Sequence, residues 1–112
     1  SEQYKQKTYT SAMKQASADI NKYERAVSNQ RKAVDTAATK YTQAKNSLKE
    51  GDTAGLQKAA QLYNEYKEAK EVYDTYQGQL NQAKNNYATA QSSYQASVAE
   101  EARMQAALKK GS

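Results

Sequence analysis

A heptad repeat is the feature of this chain that most constrains its fold. Apolar or small residues recur along two long segments at steps that alternate between three and four. The first segment contributes Gln6, Tyr9, Met13, Ala16, Ile20, Tyr23, Val27, Gln30, Val34, Ala37, Tyr41, Ala44 and Leu48. The second contributes Ala59, Leu62, Tyr66, Ala69, Tyr73, Tyr76, Leu80, Ala83, Tyr87, Ala90, Tyr94, Ser97, Glu101, Met104 and Leu108. Such a repeat predicts helices that pack along a narrow stripe, which we call the seam.

One short segment of turn-forming residues separates the two repeats. Gly51 can adopt the left-handed conformation that ends many helices, and Asp52 or Thr53 can cap the first amides of a following helix. The sequence therefore predicts an all-α fold, an antiparallel two-helix coiled-coil hairpin. Its predicted elements, within a single domain at 1–112, are a helix at 2–49, a turn at 50–53 and a helix at 54–109.

The composition suits a thin seam better than a multilayer core. Only 38% of the 112 residues are hydrophobic, and Phe, Trp and Pro are absent. The aromatic residues are all Tyr. Long uninterrupted helices are expected in a chain without Pro, because Pro breaks the interior hydrogen bonds of a helix.

Large and small residues along the two seams predict the pairing register. If paired residue numbers sum to about 103, large residues meet small ones in most layers, as where Ile20 faces Ala83. Gln30 then forms a polar layer within the seam, which helps to specify the register. The same register predicts two charge pairs on the flanks of the seam: Lys40 with Glu65, and Lys5 with Glu100.

Apolar residues beside the seam predict a wider contact surface. Met104 and Leu108 also extend the second repeat beyond the start of the first helix. Both features favour a further helix, from a second copy or a protein partner, and hence association into a larger bundle. The alternative is that the alanines are there only as good helix formers. The flanking residues are Ala12, Ala26, Ala33, Tyr63, Val72 and Val98. Of these we select Ala26, Ala33 and Val72 as candidate partner contacts.

The net charge of +5 is unevenly distributed. Residues 1–49 carry ten Lys and Arg side chains against four Asp and Glu, so that the first helix is basic and the remainder carries −1. A basic helix can attract an anionic partner, and neutralising Arg31, Lys32 and Lys40 would test for nucleic acid. The cations are spread around the helix, and most tyrosines lie on the seam, so a solvated surface is favoured over nucleic-acid binding.

Residue types that carry most catalytic and metal chemistry are missing from the sequence. There is no His, no Cys and no Gly-rich phosphate loop. The acidic residues between Glu65 and Asp74 are interleaved with lysines, which is typical of a charged helix face. We therefore predict no enzyme activity, no catalytic or metal site and no cofactor. No apolar run approaches membrane-spanning length.

The turn carries a basic residue, a Leu, a Gly and a hydroxyl residue, at Lys45, Leu48, Gly51 and Thr53. In this it resembles the hairpin tip of bacterial membrane fusion proteins, the periplasmic adaptors. The family commonly has Arg where this chain has Lys45, an apolar residue at Asp52 and Ser at Thr53. The resemblance implies that the tip docks onto an outer-membrane channel and that hairpins assemble into a tube. It implies partner contacts at Lys45, Leu48 and Thr53.

The two helices and central turn are also similar to small type VII-secreted proteins of the WXG100 kind, although no Trp-x-Gly is present. We predict a structural or interaction module of a bacterial secretion or envelope assembly, which binds a protein partner at the turn or along the helix faces. The first alternative is a small secreted hairpin that works as a homodimer or heterodimer. A basic nucleic-acid-binding helical protein is the second. The bacterial envelope or the extracellular space is the favoured location.

Overall fold

Two α-helices make up the structure, a computed structural model that describes residues 1–111. Helix α1 spans Glu2–Asn46 and helix α2 spans Thr53–Gly111, and the described residues contain no strand. The helices form an antiparallel hairpin, which confirms the predicted all-α fold. Neither helix contains, within the part of the chain that is described, a stretch long and apolar enough to cross a membrane.

The first helix ends earlier than the sequence predicts. It stops at Asn46, after which the amide of Leu48 donates to the carbonyl oxygen of Lys45 at 3.3 Å. This is an i→i+3 bond, which tightens the end of a helix and stops its propagation. Helix α2 begins one residue earlier than predicted, at Thr53, because Asp52 serves as its cap.

The described residues group into two compact units. The terminal unit combines Ser1–Lys22 with the chain from Leu80 onward. The turn unit is Tyr23–Gln79 and includes the end of α1, the turn and the start of α2. Each unit therefore contains one segment of each helix.

The predicted seam is the buried surface of both units. Every seam position from Gln6 to Glu101 is buried or half-buried, whereas Met104 and Leu108 are exposed. Most of the buried side chains are small, which lets helices approach closely. They are Ala16, Leu80, Ala83, Ala90 and Ser97 in the terminal unit, and Ala59 and Leu62 in the turn unit.

Polar side chains add hydrogen bonds between the helices within each unit. In the turn unit the Gln30 amide donates to the main-chain oxygen of Ala69 at 3.0 Å, which gives the polar seam layer a partner. In the terminal unit the Ser97 hydroxyl donates to Glu2 Oε2 at 2.5 Å. Hydrogen bonds from Ser97 and Lys5 lower the pKa of Glu2 below its ordinary value of 4.5.

The register brings both predicted charge pairs to shared clefts between the helices, one lined by Lys5 and Glu100 and the other by Lys40 and Glu65, but neither pair is in ion-pair contact among the described residues. For Lys5 and Glu100 the reason is a charged neighbour three residues away on the same helix, which is a closer partner. The ion pairs of Lys5 and Glu100 are Lys5–Glu2 at 3.2 Å and Glu100–Arg103 at 2.5 Å.

Candidate interaction surface

The turn has a well-defined backbone. Gly51 has φ of +78°, the left-handed conformation that glycine adopts without strain. The amide of Asp52 donates to the Lys49 carbonyl, and that of Thr53 to the Gly51 carbonyl, each at 3.1 Å. The Asp52 carboxylate accepts the amide of Gly55 at 2.8 Å, as an N-cap residue does. The predicted roles of Gly51 and Asp52 are thus present.

Gly55 leaves space for this cap. A Cβ atom added to Gly55 would lie 2.7 Å from the carboxyl carbon of Asp52, closer than atoms normally approach. Any side chain at this position would push the carboxylate away from the amide it caps. Gly55 therefore leaves room for the cap of α2, whereas Gly51 allows the chain to reverse direction.

The tip residues predicted from the sequence lie around this turn. The Lys45 ammonium is 5.8 Å from the centroid of the Tyr41 ring. Leu48 is half-buried, and its amide bonds to Lys45. Thr53 is exposed as the first residue of α2. The structure thus joins Lys45 and Leu48 directly, and leaves the Thr53 side chain open to solvent.

The predicted face contacts lie on one flank of the seam in the turn unit. Ala26 is half-buried, Ala33 is exposed, and Val72 is exposed to 43%. These residues share the heptad g position, so they line the same edge of the hairpin. All three positions are at least partly accessible to a partner, but among them only Val72 has a side chain larger than a methyl group.

Leu56 is a surface residue that the sequence reasoning missed. It is 59% exposed and lies in the first turn of α2, as the fourth residue of that helix. It occupies the heptad e position, one heptad before Tyr63, whose ring contacts Tyr41, so Leu56 lies on the same edge of the hairpin as that contact. A large apolar residue outside the seam and next to a turn was the signal that could have revealed it.

Three tyrosines form a cluster that connects the two helices of the turn unit. The ring centroids of Tyr41 and Tyr63 are 5.1 Å apart, with 55° between the ring planes. Those of Tyr63 and Tyr66 are 6.4 Å apart at 43°. Tilted rings at these separations attract each other through their quadrupoles. We call Tyr41, Tyr63 and Tyr66 the tyrosine cluster.

Each ring of the tyrosine cluster carries a lysine four residues further along its helix. A helical side chain points back toward the preceding turn, so the lysine at i+4 lies over the tyrosine at i. A cation over an aromatic ring is attracted by the ring face. This repeated spacing was a sequence signal that could have been read. The pairs, with ammonium-to-centroid distances, are Lys45–Tyr41 at 5.8 Å, Lys67–Tyr63 at 5.5 Å and Lys70–Tyr66 at 5.6 Å.

Arg31 also binds a tyrosine. Its guanidinium donates to the Tyr73 hydroxyl at 3.3 Å, and the Gln77 amide donates to the same oxygen at 3.1 Å. Hydrogen bonds from Arg31 and then Gln77 lower the pKa of Tyr73 below its ordinary value of 10.0. The bond to Tyr73 raises the pKa of Arg31. One of the cations considered for nucleic acid is thus engaged in a contact between the helices.

We call Lys45, Leu48, Thr53, Leu56 and Tyr63 the turn surface. It combines an exposed Leu and a partly exposed Tyr with an ammonium group, on a backbone held by the cap and turn hydrogen bonds. Such a surface can hold an apolar group of a partner and a neighbouring carboxylate at the same time.

Models of protein families, curated proteins and solved structures were all compared with this chain, and none of them matches it.

Proposed function

We propose that this chain is a non-enzymatic interaction module that docks onto a protein partner through the turn surface. The observation that carries the proposal is Leu56, a large apolar side chain that is 59% exposed beside a capped turn. An exposed apolar side chain gains free energy when a partner pocket removes it from water, and an aliphatic residue can anchor an interface in this way. A backbone that is already ordered loses little entropy when it binds.

The charges near Leu56 indicate the chemistry of the partner. The Lys45 ammonium lies over the Tyr41 ring and the Lys67 ammonium over the Tyr63 ring, on the edge of the hairpin that Leu56 shares. Complementary charges around an apolar contact raise specificity and the association rate. The partner surface that fits best is an apolar pocket bordered by carboxylates.

The resemblance to periplasmic adaptor tips suggests where such a partner occurs. Lys45, Leu48, Gly51 and Thr53 fall in places similar to the characteristic residues of those tips, and Gly51 has the backbone conformation that a tight reversal needs. We propose a bacterial envelope or secretion assembly as the setting, with the turn surface as the contact to another component.

The test is a photo-crosslinking amino acid at position 56, followed by binding of the captured protein in purified form. We expect Leu56→Ala to weaken the affinity about tenfold or more, as loss of an interface anchor does. Leu48→Ala and Thr53→Ala should weaken it as well. Leu108→Ala is the matched control, because Leu108 is exposed but lies in the terminal unit.

Equal affinity of the Leu56 and Leu108 variants would contradict docking at the turn. Circular dichroism of each variant must show unchanged helix content, so that loss of binding is not loss of fold. Salt titration separates the two parts of the surface. The contribution of Lys45 to the binding affinity should fall as the salt concentration rises, whereas the contribution of Leu56 should persist.

Self-association is a second candidate, supported by the exposed end of the second repeat. Met104 and Leu108 continue the seam beyond Glu101, and Leu108 is 75% exposed. A second copy could cover them, as the small secreted hairpin alternative requires. Light scattering over a range of concentrations tests this, because a dimer that Met104→Gln with Leu108→Gln dissociates would support it.

A further inference from the structure

The contact between Tyr41 and Tyr63 joins two phenol rings from different helices. Their centroids are 5.1 Å apart, near the short end of the range for aromatic contacts. Tyr63 is 42% exposed and Tyr41 is half-buried, so a reagent in solution can reach at least one of the two rings. Twenty-two positions of sequence separate them, including the whole turn.

We propose that Tyr41 and Tyr63 are a modification site, at which a one-electron oxidant forms a dityrosine bond between α1 and α2. The oxidant class is a haem peroxidase with hydrogen peroxide. The product would be a hairpin that is covalently closed at its turn. This inference does not depend on the identity of any docking partner.

The chemistry balances without a further reactant. Each phenol loses one electron and one proton and becomes a phenoxyl radical. The radicals couple through a new carbon–carbon bond between ring carbons ortho to the oxygens. The hydrogens on those carbons then move to the oxygens and restore two phenols. One hydrogen peroxide accepts the two electrons and two protons and becomes two molecules of water.

The geometry favours this pair over the neighbouring ones. The rings of Tyr63 and Tyr66, which lie on one helix, are 6.4 Å apart, farther than the 5.1 Å between Tyr41 and Tyr63. The Tyr73 hydroxyl is instead the acceptor of hydrogen bonds from Arg31 and Gln77. Tyr41 and Tyr63 meet ring to ring across the seam.

The experiment exposes the full chain, at low concentration, to horseradish peroxidase and hydrogen peroxide. We expect dityrosine fluorescence from a species of monomer mass that has lost two hydrogen atoms. Trypsin releases residues 41–45 and 59–67 as separate peptides, which the bond would join. Fragmentation of the joined peptides then shows whether the bond is made by Tyr63 or by Tyr66. The cross-linked chain should unfold at a higher temperature, because the bond closes the turn.

Phe variants serve as controls, since Phe keeps the ring and removes the hydroxyl. Tyr41→Phe and Tyr63→Phe should each lose the intramolecular product, whereas Tyr66→Phe and Tyr94→Phe should keep it. A product that persists in Tyr63→Phe, or one that maps to other tyrosines, would overturn the proposal. So would dityrosine found only between chains, or none at all under conditions that couple free tyrosine.

Discussion

At the scale of single residues, the turn depends on a contact between one carboxylate and one glycine. The Asp52 carboxylate accepts the Gly55 amide at 2.8 Å, and the absence of a side chain at Gly55 makes the approach possible. A helix begins with amides that have no partner within the helix, and a capping side chain satisfies one of them. The effects of substituting Asp52 and Gly55 on the free energy of unfolding should therefore not be additive.

We predict that Asp52→Ala lowers the free energy of unfolding by about 1 kcal/mol, because the cap is lost. Gly55→Ala should change it little in the wild-type chain, since better helix propensity offsets the displaced cap. In the Asp52→Ala background the same change should stabilise by up to about 1 kcal/mol. Urea unfolding of the four proteins measures this coupling.

Asp52→Asn is the control for the loss of the cap, because Asn caps nearly as well as Asp. It should unfold close to the wild type. Additive effects of the Asp52 and Gly55 changes would show that the close approach has no energetic consequence.

The contact of Arg31 with Tyr73 predicts an early tyrosine titration. The hydrogen bond from Arg31 lowers the pKa of Tyr73 below 10.0, so this phenol should ionise before an ordinary tyrosine as pH rises. A lowered pKa contributes stability above the unfolded value of 10.0, and that contribution is lost as pH falls through the folded pKa. Any stabilisation that arises from the lowered pKa of Tyr73 is therefore present only in alkaline solution.

Ultraviolet absorbance as a function of pH measures the titration, with Tyr73→Phe to assign it. Arg31→Gln should raise the pH at which the early phenol ionises, because the guanidinium no longer stabilises the phenolate. Lys32→Gln is the neighbouring control and should leave it in place. An early component that survives Arg31→Gln would have to come from another tyrosine.

At the scale of the elements, two glycines illustrate opposite requirements. Gly78 lies in the interior of α2, and an added Cβ there meets nothing within 4 Å. Gly51 also has space around it, but its φ of +78° disfavours any residue with a side chain. The helix interior thus gains from Ala, whereas the turn requires Gly.

We predict that Gly78→Ala raises the free energy of unfolding by about 0.5–1 kcal/mol, the usual difference in helix propensity. Gly51→Ala should lower it by about 1 kcal/mol, because an L residue is strained in the left-handed region. Denaturant unfolding compares the two variants directly. The same sign for both would mean that the turn conformation does not control stability.

At the scale of the whole molecule, stability should follow the seam rather than the number of apolar residues. Leu80 is 7% exposed and Leu108 is 75% exposed, although both are leucines of α2 in the terminal unit. We predict that Leu80→Ala costs about 2–3 kcal/mol, since it removes buried contacts and leaves a cavity. Leu108→Ala should change stability by less than about 0.5 kcal/mol.

Thermal and urea unfolding, repeated at several protein concentrations, measure these effects. If Leu108→Ala destabilises strongly and only at high concentration, Leu108 is buried by a second copy, and the self-association candidate gains support. A small change in stability at every protein concentration would mean that Leu108 is not buried by a second copy, and its exposed side chain would remain open to a different protein.

The amino-acid sequence by itself determined the fold class and the buried stripe. A repeat with a period of 3.5 residues defines one face of a helix, so Ala16, Leu80 and Ala90 could be assigned to the seam before any coordinates were known. The turn was equally readable, because Gly51 and Asp52 are residue types with specific backbone roles.

Only the tertiary structure decided what lies on the flanks of that stripe. Heptad spacing says which positions face inward, but the pairing of exposed side chains depends on rotamers and on competing neighbours. Lys5 therefore pairs with Glu2 on its own helix, and Tyr63 reaches across to Tyr41. Leu56, at the e position beside the turn, is left 59% exposed. The seam follows from a period of the sequence, whereas the surface follows from contacts that the period does not encode.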